Sequence, residues 1–408
     1  MSRIDKLIAD LCPDGVEFKR IADVSSKGSK IKWAQVGNAE YQYIDLGAVE
    51  PRTRQIGKTQ TINSCNAPSR AQQIVQSGDI IFATTRPTQL RWAVIPDSYD
   101  GQVVSTGYCV IRPDRSSIIT NYLAHTLGTT SFLKYLKANQ ILGNYPSIPD
   151  SRIQEFRIPV PPLEVQREIV RVLDKFTQLE AELEAELKAR RRQYEHYLGR
   201  LVSFRGENEV PWVAIGDLGL IFRGKRFTKS DYVDSDGIGV IHYGEIYTRY
   251  GTTANQAVSQ VRADLGPALR YAHKGDVILT DVGETVEDVG KAMAWLGEEP
   301  VAVHDHCYVI RSELDASYLA YTMQGNDFRK AKEQAIARTK VKTLLLDGLK
   351  RIKVPLPPLE EQRRIVSILD KFDSLVNDLS IGLPAELEAR RKQYEYYRDR
   401  LLTFEEKR

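Results

Sequence analysis

At 408 residues, 42% hydrophobic and 27% charged, the chain has the composition of an ordinary globular protein with length for about two to four domains, which excludes disordered and fibrous classes. The opening residues mix charge with apolar side chains, without a secretory apolar stretch. No later apolar run is long enough to span a membrane, so a cytoplasmic location is expected. Four cysteines (Cys12, Cys65, Cys109, Cys307) without CxxC spacing argue against a disulfide framework and a zinc site, and a net charge of +3 permits a nucleic-acid partner without demanding one.

Residues 14–158 read as one mixed domain. Strand-like alternation marks Val16 to Val24, Tyr41 to Gly47, Ile80 to Ala83 and Tyr108 to Arg112, and a helix fits Asn121 to Asn139 through Leu123, Leu127, Phe132 and Leu136. Pro161 and Pro162 then suit a helix's first turn. From Leu163 an apolar stripe runs through Ile169, Leu173, Phe176, Leu179, Leu183 and Leu187, the spacing of a coiled-coil seam. Unbroken to Phe204, this helix would be on the order of 65 Å long.

After a linker-like Gly206 to Glu209 the cycle restarts. Trp212 to Leu218, Val240 to Gly244, Lys274 to Leu279 and Cys307 to Arg311 echo the strands of the first half. A further strand is expected at Leu349 to Val354. Pro355 to Phe372 then repeats Pro159 to Phe176, and Ala389 to Tyr397 repeats Ala189 to Tyr197, with roughly two-thirds of paired positions identical. The whole chain is a duplication whose helices stayed alike while the globular halves diverged. The second helix carries about four extra residues around Ser380 to Pro384, where Gly382 and Pro384 predict a break.

The pattern PPLExQRxIVxxLDKF opening each helix and ARR(R/K)QYExY near each end, with Leu11 to Gly15 at the start, resembles the specificity subunit of type I restriction-modification systems over essentially the whole chain. The resemblance implies an α+β fold in which two mixed α/β target-recognition domains (1–158 and 206–354) alternate with two conserved spacer helices (159–205 and 355–408). Those helices would pair as an antiparallel coiled coil with pseudo-twofold symmetry. It further implies that each domain reads one half of a split sequence on double-stranded DNA, and that the helices dock two modification (methyltransferase) subunits, which restriction subunits join. No cofactor is expected on this chain; S-adenosylmethionine, ATP and Mg2+ belong to the partners. Half-sites contacted from one side fall about one helical turn or a multiple apart, which suits two readers on a spacer.

Candidate DNA contacts follow from charge and position. The first half is the more basic, with 17 Lys and Arg against 12 Asp and Glu over residues 14–158; Lys30, Lys32, Arg52, Arg54 and Lys58 contribute. The polar loop Thr84, Thr85, Arg86 to Arg91 follows a strand, and its arginines are of the type that reads guanine or holds phosphate. In the second half the candidates are Arg223, Lys225, Arg226, His242, Arg249, His304, His306, Arg338, Lys340 and Lys342. For each, a solvated surface is the alternative reading. Tyr194, Tyr197, Phe204, Tyr394, Tyr397 and Phe404 are assigned to packing between helices or against modification subunits.

Signatures of catalysis and metal binding fail on inspection. His304 and His306 would share a strand face from which Cys307 points away, with no second ligand pair. Asp14, Glu17 and Lys19 lie too close in sequence for a nuclease centre, and Asp234 to Gly237 lacks the first and last ligands of a calcium loop. A phosphate loop and an amino-methylation tetrapeptide are both absent, since each Pro-Pro pair precedes leucine. A self-sufficient methyltransferase or nuclease is therefore disfavoured; a coiled-coil scaffold without DNA affinity is the other alternative, which salt-dependent DNA binding by the assembled complex would exclude.

Overall fold

The computed structural model describes residues 3–204, 210–338, 342–378 and 381–407; Lys340 lies outside them. The chain forms two compact units, Met1–Leu183 with Leu387–Arg408, and Glu184–Glu386. Each therefore contains the start of one long helical segment and the end of the other. No helix among the described residues is long and apolar enough to cross a membrane.

In the first unit, helix α1 (Arg3–Leu11) precedes a strand, Glu17–Arg20, that pairs antiparallel with Arg157–Val160 and so ties the two ends of the globular part together. Between them lie a four-stranded sheet (Ser25–Lys27, Tyr108–Pro113, Ile80–Ala83, Trp92–Val94) and a five-stranded sheet (Ser29–Lys30, Ala71–Ile74, Val103–Ser105, Tyr41–Ile44, Gln60–Ile62). Ile80–Ala83 is buried at every position because successive side chains enter different cores. Ile80 and Phe82 pack with the helices, whereas Ile81 and Ala83 pack with Ile44 and Val104 of the second sheet.

The helix expected over residues 121–139 is two helices, α2 (Thr120–Thr126) and α3 (Thr130–Asn139). Gly128 interrupts it, and the Thr129 hydroxyl caps α3 by accepting from the Phe132 amide. A short helix α4 (Asp150–Glu155) leads to the closing strand and then to α5 (Leu163–Ser203), 41 residues long and close to the predicted span. Val165, Ile169 and Leu173 of α5 complete the core under α2 and α3.

The second unit repeats the scheme. Trp212–Ala214 pairs with Lys353–Pro355, and Val277–Thr280 is the central strand of one of two five-stranded sheets, its alternate residues again entering two cores. Helices α6 (Tyr243–Thr248), α7 (Ala316–Thr322), α8 (Asn326–Glu333) and α9 (Leu346–Arg351) follow. The strand expected from Leu349 thus starts as the last turns of α9, and only Lys353–Pro355 is extended. The last helical segment is interrupted as predicted, into α10 (Leu359–Asn377) and α11 (Leu383–Leu401). A Cβ on Gly382 would stand 2.4 Å from the Ser374 carbonyl oxygen, so only glycine fits there.

The repeated motif has a repeated task. Buried Gln166 accepts from the Ile119 amide at 2.9 Å and donates to the Pro161 and Ser117 carbonyls; Gln362 accepts from the Asp315 amide at 2.9 Å and donates to the Pro357 carbonyl. Tyr122 and Tyr318 donate to the carbonyls of Pro159 and Pro355. Each long helical segment is thereby fastened to its own globular part by one glutamine and one tyrosine. Helix pairing within each unit is antiparallel: in the first, Phe176 stacks on Tyr397 and Glu180 pairs with Arg391 at 2.6 Å; in the second, Phe372 stacks on Tyr197.

Candidate nucleic-acid interface

In the first unit, the loop after Ile80–Ala83 and the chain between α3 and α4 are stitched together. Thr84 donates its amide and hydroxyl to the Gly107 carbonyl and accepts from the Ile148 amide. Thr85 bridges to Ser147, and the Arg86 amide donates to the Pro146 carbonyl at 2.6 Å. Arg86 sits in the left-handed region at φ 51°, which turns its exposed side chain over the Tyr145 ring at 5.2 Å. This places an Arg and a Tyr side by side at the rim of the unit.

The other basic candidates do not form one patch with Arg86. Lys30 and Lys32 are exposed, Lys30 within the strand that pairs with Gln73. Arg52 and Lys58 are also exposed. Arg54 departs from its expected solvent position: its guanidinium lies 3.9 Å from the Trp92 ring, and burial pushes its pKa down to about 10, with Arg398 adding to the fall and Tyr394 and Glu180 opposing it. Arg91 likewise turns inward, donating to the Leu46 carbonyl at 2.8 Å. These two arginines brace the fold and face the packing instead of a groove.

In the second unit, Phe227, Tyr232, His242, Tyr243, His304 and His306 line a cleft of about 790 Å³, with Arg226 and Lys229 at its edge. His304 and His306 do not share a strand face. They lie in the turn after Val301–Val303, which brings His304 to 4.5 Å from His242 and 4.9 Å from Phe227, ring centre to ring centre. Burial pushes His304 down to about 4 and also lowers His242. His242 caps α6, accepting from the Gly244 amide at 3.1 Å.

Arg223 binds the fully buried carboxylate of Asp281 and the Tyr308 hydroxyl, while His306 reaches the other Asp281 oxygen at 3.3 Å. Lys225 and Arg226 are exposed beside it. Arg249 is separate, lining a cleft with Tyr321, Gln324 and Asp373. Arg338 and Lys342 pair across a small sheet with Val282–Gly283. Among the described residues no His, Cys, Asp and Glu group has a metal-holding arrangement, and Cys307 is buried in a core strand.

The helix aromatics are mostly spent internally. Tyr194 is buried with its hydroxyl near Gln324, Tyr394 meets the His125 ring nitrogen at 2.9 Å, Tyr197 and Tyr397 stack as above, and Phe404 packs on the first unit's core. Phe204 is half-buried just past α5. The aromatic that α11 leaves in solvent is Tyr396, 60% exposed beside Lys392 and Arg400, a residue the sequence reading passed over. Leu142, Tyr145 and Tyr243 were passed over too. The Gly143-Asn144 turn between apolar residues is the signal that marks the first two.

A duplicated α+β chain with two diverged rims and two matched helical anchors defines a class: two-headed recognition proteins. The type I restriction modification DNA specificity domain matches it twice, at residues 13–190 and 208–389, and the chain belongs to that family. It is 30% identical over 368 residues to the EcoR124I/EcoR124II specificity subunit of Escherichia coli, covering 85% of each chain. It is similar in fold to a chain from a structure describing complex assembly and conformational transition of the type I R-M system, with TM-score 0.67, 24% identity and coverage of 96% and 98%. The S subunit of a type I restriction-modification system from M. genitalium is also similar in fold, with TM-score 0.54, 13% identity and coverage of 95% and 96%. The chain is a DNA-specificity subunit and not itself an enzyme, and its partners are DNA and the other subunits of a type I restriction-modification complex.

Proposed function

We propose that residues 1–158 and 206–354 are the two recognition domains, each reading one half of a split DNA site, and that residues 159–205 and 355–408 set the gap and dock two modification subunits, which restriction subunits join. The complex works in the cytoplasm, and the chemistry of S-adenosylmethionine, ATP and Mg2+ stays on the partners. The observation that carries this reading is the contrast within the repeat. Gln166 and Gln362, Tyr122 and Tyr318, Phe176 and Phe372 make matching contacts, whereas the rims present Arg86 and Tyr145 in one unit and histidines with Arg226 in the other. Shared anchors suit a shared partner, and different rims suit different half-sites.

Of the candidates, Lys30, Lys32, Arg52, Lys58, Thr84, Thr85, Arg86, Lys225, Arg226, His242, His306, Arg249, Arg338, Lys340 and Lys342 remain the proposed DNA-facing set, with Arg223 held by Asp281 at its edge and His304 buried against His242 and Phe227. Co-expression with the cognate modification subunit, followed by single-molecule mapping of methylated adenines, tests the reading. One bipartite motif with a fixed gap is expected. Methylation at no split site, or methyl transfer by this chain alone, would overturn it.

A further inference from the structure

We propose that the hairpin tip spanning Ile141 to Ser147 is an apolar wedge, with Leu142 and Tyr145 pressed against a base step of the half-site read by the first unit and Arg86 on the neighbouring phosphate. This rests on the DNA-reading function above. Single apolar residues on a surface are ordinary, but Ile141, Leu142 and Tyr145 stand 59%, 78% and 70% exposed within five consecutive positions. Folding gains little from leaving them there.

The tip is also held rigid. Ile141 and Ser147 exchange both backbone hydrogen bonds at 2.7 and 3.0 Å, and the chain after the tip is bonded to Thr84 and Arg86. A side chain presented on such a base loses little entropy on binding. Arg86 covers one face of Tyr145 and adds positive charge beside the apolar surface. Apolar side chains with adjoining cations are the chemistry that unstacks and kinks a base step, and it fits nucleic acid better than a neutral protein face.

The second unit supplies an internal comparison. Its hairpin pairs Ala337 with Thr343 and Thr343 with Val282, as Ile141 pairs with Ser147 and Ser147 with Thr85. By that register Arg338 occupies the position of Leu142. One position of the repeat is thus leucine in one unit and arginine in the other.

The test uses the complete complex with its modification subunits and duplex DNA carrying the site obtained from methylation mapping of the wild type. Leu142→Ala and Tyr145→Ala are each expected to weaken binding about tenfold, with an unchanged salt slope, because no charge is removed. Tyr145→Trp should keep affinity, and Arg86→Ala should lower the salt slope by about one. Ala variants that bind within twofold of wild type, or that lose assembly with the modification subunit, would overturn the wedge. If the wild-type complex itself methylates no split site, the functional reading fails; if it does and the variants are silent, only the wedge fails.

Discussion

The ring of Phe176 lies 5.4 Å from that of Tyr397 with the planes 23° apart, and Phe372 meets Tyr197 at 5.3 Å and 28°. The opening motif of one helical segment is therefore read by the closing motif of the other, twice, in the same geometry. Offset aromatic stacks contribute about 0.5–1.5 kcal/mol beyond the area they bury. A double-mutant cycle on Phe176→Ala and Tyr397→Ala is expected to give a coupling in that range in chemical unfolding. Additive effects would reduce the stack to a by-product of packing.

Gln166 is fully buried with its amide satisfied on both sides. Gln166→Leu strands the Ile119 amide and the Pro161 carbonyl, each a loss of about 1–3 kcal/mol when buried without a partner. The variant should melt several degrees below wild type, and Gln362→Leu should do the same through Asp315 and Pro357. A change of less than a degree for either would mean that water replaces the glutamine.

Acid should loosen the second unit. Burial holds His304 neutral down to about pH 4, against an ordinary value of 6.5, with His242 and His306 opposing its protonation and Asp305 favouring it. Between those values the unfolded chain binds a proton that the folded one refuses, so stability is full above about pH 6.5 and declines as pH falls toward 4. His304→Gln is expected to flatten the decline in melting temperature across pH 7 to 5. Part of the slope should persist, because burial lowers His242 as well. A wild-type melting temperature constant over that range would refute the assignment.

Leu179 to Leu187 repeats a four-residue Leu-Glu-Ala-Glu pattern inside α5. One more unit adds about 6 Å of helix. Methylation mapping of that variant should return both half-sites unchanged with a longer gap. An unchanged gap would separate spacing from helix length.

Replacing exposed Lys30 and Lys32 by alanine should lower the slope of log affinity against log salt by about two if both face phosphate. A slope equal to wild type would return both to plain surface.

The long helices and their break were legible because period, proline and glycine are local facts: α5 runs where the leucine stripe ran, and Gly382, where no Cβ fits, lies between the end of α10 and the start of α11. The α2 and α3 division turned on whether Gly128 is tolerated inside a helix, which the capping hydroxyl of Thr129 decides. Burial of charged residues was not legible. Arg54 and Arg86 are both arginines in polar loops, and only three-dimensional packing puts one on Trp92 and the other on an exposed tyrosine. His304 and His306 were placed on a strand because two histidines at alternate positions fit one, yet the turn that carries them is what gathers His242 and Phe227 around His304.

The glutamine fastening also bears on how such proteins change. Because Gln166 and Gln362 join each reader to its helix through backbone groups, which every sequence possesses, a foreign reader spliced in just ahead of Pro161 or Pro357 meets the same donors and acceptors. The glutamine fastening thus asks nothing of the side chains it holds, so either globular part can diverge in sequence while the helical segment it is joined to stays the same.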